Sequence, residues 1–318
     1  MTDAVLALDI GGTKFAAAIV DACGRVVTRA AVATPVATDA GIVADALIRL
    51  IGRVQAEGGR IDAVGIGSAG PVDVTAGTVS PVNIPAWRGF DVVGEVARAV
   101  PGRPVTLGGD GTCMALGEYW RGGHSGGGRT MLGVVVSTGV GGGLVIDGRI
   151  YAGPTGNAGH IGHTVIDLHG EPCPCGGCGC VELYASGPAM VRWAQSQGWP
   201  AEGCSLPAES DALDARVLAE HARAGHSVAL AAFSRAADAL AAGIVSAAAR
   251  VDLVDVVSGG GVAAAGEVLF GPLRAAMAAR AGLGFVRRTR IHPSTLGSDA
   301  GLLGAAALVL DPTTLRSL

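Results

Sequence analysis

A short segment that is dense in histidine and cysteine, Gly156 to Glu182, constrains this chain more than any other part of its sequence. It contains three of the seven histidines and four of the seven cysteines. Thiolate and imidazole together are the usual ligands of a closed tetrahedral zinc site, so the segment predicts a structural metal. The candidate ligands are His160, His163, His169, Cys173, Cys175, Cys178 and Cys180.

Charge and hydropathy argue against several classes of protein. The formal net charge is −4 and no stripe of lysine or arginine is present, so no nucleic-acid partner is expected. The apolar stretches at residues 236–251 and 300–310 are alanine-rich or too short for a bilayer, so no membrane is expected either. The first strand is predicted to begin by Ala4, which leaves no room for a signal peptide. We therefore expect a cytoplasmic protein whose clustered cysteines bind metal and do not form disulfides.

Strand and helix patterns alternate along the chain and favour an α/β fold. Three short apolar runs at the start predict a three-stranded meander. Large apolar residues recur at helical spacing from Ile42 to Val54 and predict a helix with one buried face. After Asp110 the pattern repeats: residues 131–150 predict two strands around a glycine turn, and residues 230–250 a long alanine-rich helix leading into the strand VDLVDVV. A chain of 318 residues is long enough for two packed domains with a cleft between them.

Glycine turns at corresponding places in the two halves predict nucleotide binding. A single glycine hairpin is more often only a tight turn, but a matching pair favours a phosphate site. In the first turn an aspartate follows the strand, where it is placed to hold a hydrated Mg²⁺. A third glycine run follows a strand and precedes a helix, which suits an adenosine or phosphate group. The three loops contain Asp9, Gly11, Gly12, Thr13 and Lys14; Ser137, Thr138, Gly139, Gly141, Gly142 and Gly143; and Gly259, Gly260 and Gly261.

Several motifs together resemble the ROK family of sugar kinases and sugar-responsive repressors. They are DIGGTK, STGVGGG, AGHIGH, CPCGGCGCVE, SGGGV and LGSDAGLLGAA, and they cover nearly the whole chain. The resemblance implies an α/β, two-domain actin-like ATPase fold, related to ribonuclease H, with a cleft between the domains. It implies a smaller domain at residues 1–110 plus 299–318. Residues 111–298 would form a larger domain that contains the zinc-binding loop.

The kinase branch of this family fits the chain better than the repressor branch. The repressors have a helix-turn-helix domain ahead of the DIGGT strand, whereas here Asp9 is already in the first strand. The resemblance implies an ATP-dependent kinase for the 6-hydroxyl of a hexose such as glucose, or of an N-acetylhexosamine such as N-acetylmannosamine. The alternative is a non-catalytic sugar-binding regulator without a DNA-binding domain. The implied partners are ATP with Mg²⁺, a sugar, and further copies of the chain in a homodimer or homotetramer.

The resemblance also assigns the zinc ligands. The family site has one histidine followed by CxC and a further cysteine, which matches His163, Cys173, Cys175 and Cys180 here. Cys178 is left over. A set of four cysteines is an alternative, although four ligands within eight residues must wrap very tightly around one ion. Free thiols without metal are another. His169 matches no family role and is predicted to lie in an exposed loop.

Asp110 is the candidate catalytic residue, because it matches the family's catalytic aspartate eight residues before Glu118. A carboxylate there would accept the proton of a sugar hydroxyl as it attacks the γ-phosphoryl group, while Mg²⁺ and positioning supply most of the rate enhancement. Without the resemblance, an aspartate at the start of a predicted helix is more often an N-cap. The two roles are compatible.

The resemblance implies a sugar site that departs from the family pattern at two positions. Most family kinases have asparagine where this chain has Gly109, and glutamate where it has His160. One amide is therefore missing, and an imidazole replaces a group that only accepts hydrogen bonds. The identity of the sugar stays open between glucose, N-acetylmannosamine and another hexose. The candidate sugar-binding residues are Gly70, Asn83, Asp110, His160, His163 and Glu182.

Overall fold

The computed structural model describes residues 4–124, 130–200 and 213–310. Its strands are β1 Ala4–Ile10, β2 Lys14–Asp21, β3 Val26–Ala33, β4 Ala63–Ser68, β5 Val72–Asp73, β6 Thr78–Val79, β7 Val105–Gly109, β8 Met131–Val136, β9 Val140–Ile146, β10 Arg149–Tyr151, β11 Asp255–Gly259 and β12 Arg290–Pro293. Its α-helices are α1 Ala40–Gly58, α2 Val92–Ala99, α3 Asp110–Arg121, α4 Glu182–Ala185, α5 Gly187–Ser196, α6 Ala215–Arg223, α7 Ser227–Val251, α8 Glu267–Arg280 and α9 Ala300–Leu310. Short 3-10 helices lie at Ile161–His163, Ala263–Ala265, Val286–Arg288 and Gly297–Asp299.

Two five-stranded sheets organise the described residues. The first has the order β3-β2-β1-β4-β7 and the second β10-β9-β8-β11-β12. In the first sheet β1, β2 and β3 pair antiparallel, which confirms the predicted meander, and β4 and β7 extend the sheet in parallel. A separate two-stranded sheet contains β5 and β6.

The first compact unit consists of the described residues of Met1–Gly133, Gly142–Gly159 and Ser294–Leu318. Its core combines the first sheet with the predicted amphipathic helix, here α1. The side chains that recur at helical spacing on α1 are buried, as the pattern predicts. They are Val43, Leu47, Leu50, Ile51 and Val54.

The second unit comprises the described residues of Val134–Gly141 and His160–Pro293. These bounds differ from the predicted split at residue 110 because α3 packs along α9 and β4, so α3 belongs to the first unit. The 25-residue helix α7 is long and apolar enough to span a membrane by length and composition. However, 56% of its most apolar window is buried inside the protein, where α7 packs against α4, α5, α6 and α8. The strand after α7 begins later than predicted, at Asp255, because Asp252 ends the helix in the left-handed conformation.

Glycine allows α3 and α9 to pack backbone against backbone. A Cβ atom at Gly304 of α9 would overlap the main chain of Cys113 in α3. A Cβ at Gly117 of α3 would likewise overlap the carbonyl oxygen of Ala300. Any larger residue at either position would push the two helices apart.

We predict that Gly304→Ala destabilises the protein by about 1–3 kcal/mol, because overpacking forces the two helix backbones apart. Urea unfolding measures the loss. Gly52→Ala is the matched control, since Gly52 also lies inside a helix but a Cβ there would meet nothing within 4 Å. It should gain about 0.5–1 kcal/mol. Equal stability of Gly304→Ala and the wild type would contradict the close packing.

Candidate active site

The first unit brings the two predicted carboxylates, Asp9 and Asp110, close to one buried thiol. Asp9 lies next to the end of β1, paired in register with Gly67 of β4. Cys113 of α3 packs against that glycine, its Sγ 3.0 Å from where a Cβ of residue 67 would lie. Burial raises the pKa of the Cys113 thiol well above its usual value, and the charges of Asp9 and Asp110 raise it further. The fold therefore assembles a site with two carboxylates that are far apart in sequence.

Asp9 itself is held in an environment that disfavours its charge. Burial raises its pKa from 3.8 to about 6, while the nearby charge of Lys14 lowers it. Gly301 of α9 contributes to this enclosure, because a Cβ there would lie 2.9 Å from Asp9 Oδ2. A buried carboxylate of this kind gains more from a bound divalent cation than one that is already well solvated.

Asp110 is the first residue of α3, and the N-cap position belongs to Gly109. The Oδ1 atom of Asp110 accepts a hydrogen bond from the Gly111 amide at 2.7 Å. The N-cap interpretation was therefore wrong by one position, although the carboxylate still lies at the helix N-terminus, where a negative charge is stabilised. A Cβ at Gly109 would meet only ordinary contacts, at 3.6 Å from Gly156 O and 3.7 Å from Thr112 Oγ1. Packing therefore does not require glycine there.

The first glycine turn connects β1 to β2. The Gly11 amide donates to the Lys14 carbonyl at 3.0 Å, and Thr34 Oγ1 donates to the Gly11 carbonyl at 2.8 Å. Thr13 and Lys14 are exposed. Asn83 packs directly on this turn, since a Cβ at Gly12 would lie 2.5 Å from Asn83 Cβ. One sugar candidate and the predicted phosphate turn are thus neighbours.

Gly70 lies in the loop between β4 and β5, close to a residue that sequence reasoning did not single out. Asn157 Oδ1 accepts from the Val72 amide at 3.0 Å, and its Nδ2 donates to the Val72 carbonyl at 2.7 Å. A Cβ at Gly70 would lie 3.7 Å from Asn157 Oδ1. The signal available in the sequence was an asparagine between glycine and alanine in the histidine-rich segment, but its partner is 85 residues away.

The second glycine turn is shorter than predicted. Ser137 donates its amide to the Gly139 carbonyl at 2.9 Å, which closes a tight turn that also contains Thr138. Gly141, Gly142 and Gly143 lie inside strand β9, so they do not form an open loop. Gly143 is needed for packing, because a Cβ there would overlap the backbone of Thr112 in α3.

The third glycine run ends β11 and turns sharply. Gly260 has φ of +97°, and a Cβ there would overlap the Val136 carbonyl oxygen. Gly260 and Gly261 are exposed, whereas Gly259 is buried at the end of the strand. A 3-10 helix at Ala263–Ala265 follows, and α8 begins only at Glu267. The predicted strand and helix are both present, but the α-helix does not begin directly at the glycine run.

Within the second unit, Glu182 joins the histidine segment to the second glycine turn. Its Oε2 accepts a hydrogen bond from the Val140 amide at 2.8 Å. Gly139 leaves the space for this contact, since a Cβ there would lie 2.7 Å from the same oxygen. Among the residues that the structure describes, Oε1 has no hydrogen-bond partner of its own. One carboxylate oxygen is thus anchored and the other is left for a ligand.

His160 and His163 lie next to each other, with ring centroids 5.0 Å apart and planes inclined by 29°. Burial lowers the pKa of His160, His163 lowers it further, and Glu182 raises it. The His160 imidazole is therefore neutral at pH 7 and offers one donor and one acceptor. His163 lies in the 3-10 helix Ile161–His163.

Four candidate metal ligands of this segment lie close together. The ligand atoms of His163, Cys173, Cys175 and Cys180 all lie within 4.8 Å of one another. His163 Nδ1 is 3.6 Å from Cys173 Sγ, and Cys175 Sγ is 3.7 Å from Cys180 Sγ. Tetrahedral zinc, with Zn–S bonds of about 2.3 Å, places its sulfur ligands about 3.8 Å apart. Burial raises the pKa of the Cys180 thiol to about 12, so a cation is needed to hold it as a thiolate.

The remaining candidates in this loop lie outside the cluster. Cys178 directs its Sγ to the Leu168 carbonyl, at 3.4 Å, so the fold does not gather the alternative set of four cysteines. His169 is exposed, as predicted. Gly179, with φ of +56°, lets the loop close tightly, because a Cβ there would overlap the Asp167 carbonyl oxygen.

Comparison with known proteins finds similar sequences and structures over nearly the whole chain. The ROK family model matches residues 5–312. The chain is 33% identical over 314 residues to a glucokinase of Thermotoga maritima, covering 96% of each chain. It is 35% identical over 304 residues to an N-acetylmannosamine kinase of Yersinia pseudotuberculosis, covering 95% of this chain and 96% of the relative. A ROK family glucokinase from Streptomyces griseus, solved with glucose and AMPPNP, superposes with a TM-score of 0.85 at 34% identity, over 96% of this chain and 98% of that one.

We predict that Asp9→Asn stabilises the protein at pH 7.5 in the absence of Mg²⁺. The pKa of Asp9 is about 6 in the folded state and near 3.8 when unfolded, so ionising it opposes folding. This cost is small below about pH 4, grows between about pH 4 and pH 6, and levels off at about 3 kcal/mol above that.

Urea unfolding at several pH values measures the effect, with the exposed Asp45→Asn as a control of equal charge change. A gain for Asp9→Asn that is the same at pH 4 and pH 7.5 would show that the buried charge is not its cause.

Proposed function

The chain belongs to the ROK family, and we propose that it is an ATP-dependent kinase which phosphorylates the 6-hydroxyl of a hexose or an N-acetylhexosamine. The observation that supports this most is the hydrogen bond from the Val140 amide to Glu182. It ties a candidate sugar ligand to the glycine turn proposed to hold phosphate. Relatives named glucokinase and N-acetylmannosamine kinase match nearly the full chain and support the same activity.

In the proposed reaction Asp110 accepts the proton of the sugar hydroxyl as that oxygen attacks the γ-phosphoryl group of ATP. Asp9 would bind the Mg²⁺ that accompanies ATP, and the amides of Gly12 and Thr13 in the first glycine turn would donate to phosphate oxygens. Thr138, Gly139 and the run Gly259–Gly261 are proposed to supply further amides and a hydroxyl for the nucleotide. The protein's own part is positioning and charge stabilisation, since phosphoryl transfer needs little covalent chemistry from side chains.

The sugar site proposed here combines donors and acceptors. Glu182 Oε1 accepts from a hydroxyl, whereas the neutral His160 donates from one ring nitrogen and accepts at the other. The acetamido carbonyl of an N-acetylhexosamine needs a hydrogen-bond donor, which the His160 ring can supply. N-acetylhexosamines are therefore candidate substrates as well as glucose. Gly70, Asn83 and His163 are proposed as further sugar ligands, as the family resemblance implies.

We also propose that His163, Cys173, Cys175 and Cys180 bind one structural Zn²⁺. When bound, zinc holds three thiolates and one imidazole in fixed tetrahedral positions. The ring of His163 packs against His160, so anchoring the first also restrains the second. The metal would stabilise the sugar-binding loop without touching phosphate. Assembly into a homodimer or homotetramer, a cytoplasmic location and the lack of a nucleic-acid partner stay predictions from sequence.

A coupled assay for ADP release over a panel of hexoses and N-acetylhexosamines tests the proposed function. We expect release that depends on Mg²⁺ and on one class of sugar. Sugar binding by calorimetry without any ADP release would contradict the kinase and support the alternative of a non-catalytic sugar-binding regulator.

We predict that Asp110→Asn lowers kcat by about 100-fold or more, because a general base contributes roughly 10²–10⁴-fold to the rate. The affinity for the sugar should change less than about fivefold, since the other ligands remain. The assay is the same, with calorimetry for binding. Asp45→Asn on the exposed side of α1 is the control and should retain full turnover. Retained turnover in Asp110→Asn would exclude this residue as the base.

We predict that Cys175→Ser lowers the bound zinc, the melting temperature and the sugar affinity together, because binding energy at a structural site is also folding energy. Zinc is measured by mass spectrometry of the dialysed protein. Cys178→Ser is the matched control three residues later and should keep about one zinc per chain. If Cys178→Ser loses zinc and Cys175→Ser retains it, Cys178 is a ligand in place of Cys175 and the proposed ligand set is wrong.

A further inference from the structure

Glu118 is a fully buried carboxylate for which the proposed function gives no role. It lies on α3, eight residues after Asp110, and its relative exposure is 0%. A buried carboxylate is costly unless several donors surround it. The hydrogen-bond donors around the Glu118 carboxylate therefore show what this side chain holds in place.

Four hydrogen bonds from three consecutive residues converge on this carboxylate. Oε1 accepts from the Ser294 hydroxyl and from the Leu296 amide at 3.0 Å. Oε2 accepts from the Thr295 amide at 3.3 Å and from the Thr295 hydroxyl at 3.1 Å. His124 Nε2 lies 3.5 Å from Oε2. One side chain of α3 thus holds the backbone amides of Thr295 and Leu296 and the hydroxyls of Ser294 and Thr295.

These three residues begin the last part of the first unit and lead directly into α9. Ser294 follows the end of β12, and the 3-10 helix Gly297–Asp299 connects to Ala300. One residue further, Gly301 packs against the Asp9 carboxylate. Glu118 therefore joins the helix that begins with Asp110 to the helix that encloses Asp9.

We propose that Glu118 is a positioning residue that sets the geometry of Asp9 and Asp110 relative to each other. The inference rests on the proposed kinase function. The base and the metal-binding carboxylate must act on the same phosphoryl transfer, and a misplacement of about 1 Å is enough to lower a rate about 100-fold. Glu118 acts on both groups through α3 and α9.

Glutamine is an informative replacement for Glu118 because it keeps the shape of the side chain. Each oxygen of Glu118 accepts from a backbone amide, Leu296 on one side and Thr295 on the other. Whichever way the side-chain amide of the Glu118→Gln variant is turned, its NH₂ group faces a backbone N–H, and a donor then meets a donor. The hydroxyls of Ser294 and Thr295 can rotate, but the two backbone amides cannot.

The test compares Glu118→Gln with the wild type for kcat, sugar KM, the Mg²⁺ concentration at half-maximal rate, and melting temperature. We expect kcat to fall about 30-fold or more, the Mg²⁺ requirement to rise at least about threefold, and sugar KM to stay within about threefold. Leu47→Ala, on the buried face of α1, is the control for lost stability and should keep kcat within about threefold. A double variant, Ser294→Ala with Thr295→Val, keeps the carboxylate and should lower kcat by about fivefold, which tests the inference if Glu118→Gln does not fold.

The outcomes separate the two proposals. A wild type that gives no sugar-dependent ADP overturns the proposed function. A wild type that turns over, with Glu118→Gln or the double variant within about threefold of it in kcat, overturns only the role of Glu118. An equal loss of kcat in Leu47→Ala also overturns that role, because lost stability would then account for the effect.

Discussion

Helix α3 packs against β9 and α9 with its backbone in direct contact with theirs. The proposed catalytic residues of the first unit depend on this constraint. Gly111 of α3 faces Gly142 of β9 at a distance that no side chain could occupy, and Gly304 of α9 does the same at Cys113. Backbone contacts of this kind leave little freedom, because close-packed interiors transmit small displacements. Main-chain packing therefore restricts where α3, which begins with Asp110, can lie. The hydrogen bonds of the buried Glu118 add a second restraint, because they join the far end of α3 to the segment before α9.

The second unit uses a different means to hold its candidate site. Its candidate sugar ligands, His160 and Glu182, flank a loop with little regular structure, and that loop is closed by tight glycine turns and by the ligand cluster at His163. A bound metal would replace the hydrophobic core that such a short loop cannot build. The same loop reaches the second glycine turn through the bond from the Val140 amide to Glu182. In the proposed site, the candidate sugar ligand Glu182 is thus hydrogen-bonded to the end of the glycine turn proposed to bind phosphate.

Sequence patterns predicted the elements that depend on local signals. The buried face of α1 follows from helical periodicity, and the meander follows from short apolar runs separated by turns. Patterns failed where glycine serves packing. Gly142 and Gly143 look like loop residues in sequence but lie in β9. Close backbone neighbours require glycine there, since a Cβ at Gly142 would overlap the Gly159 carbonyl oxygen and one at Gly143 would overlap the main chain of Thr112 in α3.

In the candidate site, too, local sequence predicted some contacts and distant packing determined others. The grouping of His163 with the three cysteines follows from motif resemblance, since these residues are close in sequence. The contacts of Asn157 and Glu118 span 85 and 176 to 178 residues, and no local pattern contains them. They became visible only when the fold brought their partners together.

The stoichiometry of the reaction shows most directly whether this chain transfers phosphate from ATP to the 6-hydroxyl of a sugar. ADP and sugar 6-phosphate are quantified in one mixture of the enzyme, Mg·ATP and the preferred sugar. A sugar kinase gives equal amounts of the two products, and neither forms when the sugar is its 6-deoxy counterpart. ADP without phosphorylated sugar, or equal release with the 6-deoxy sugar, would contradict the proposed activity.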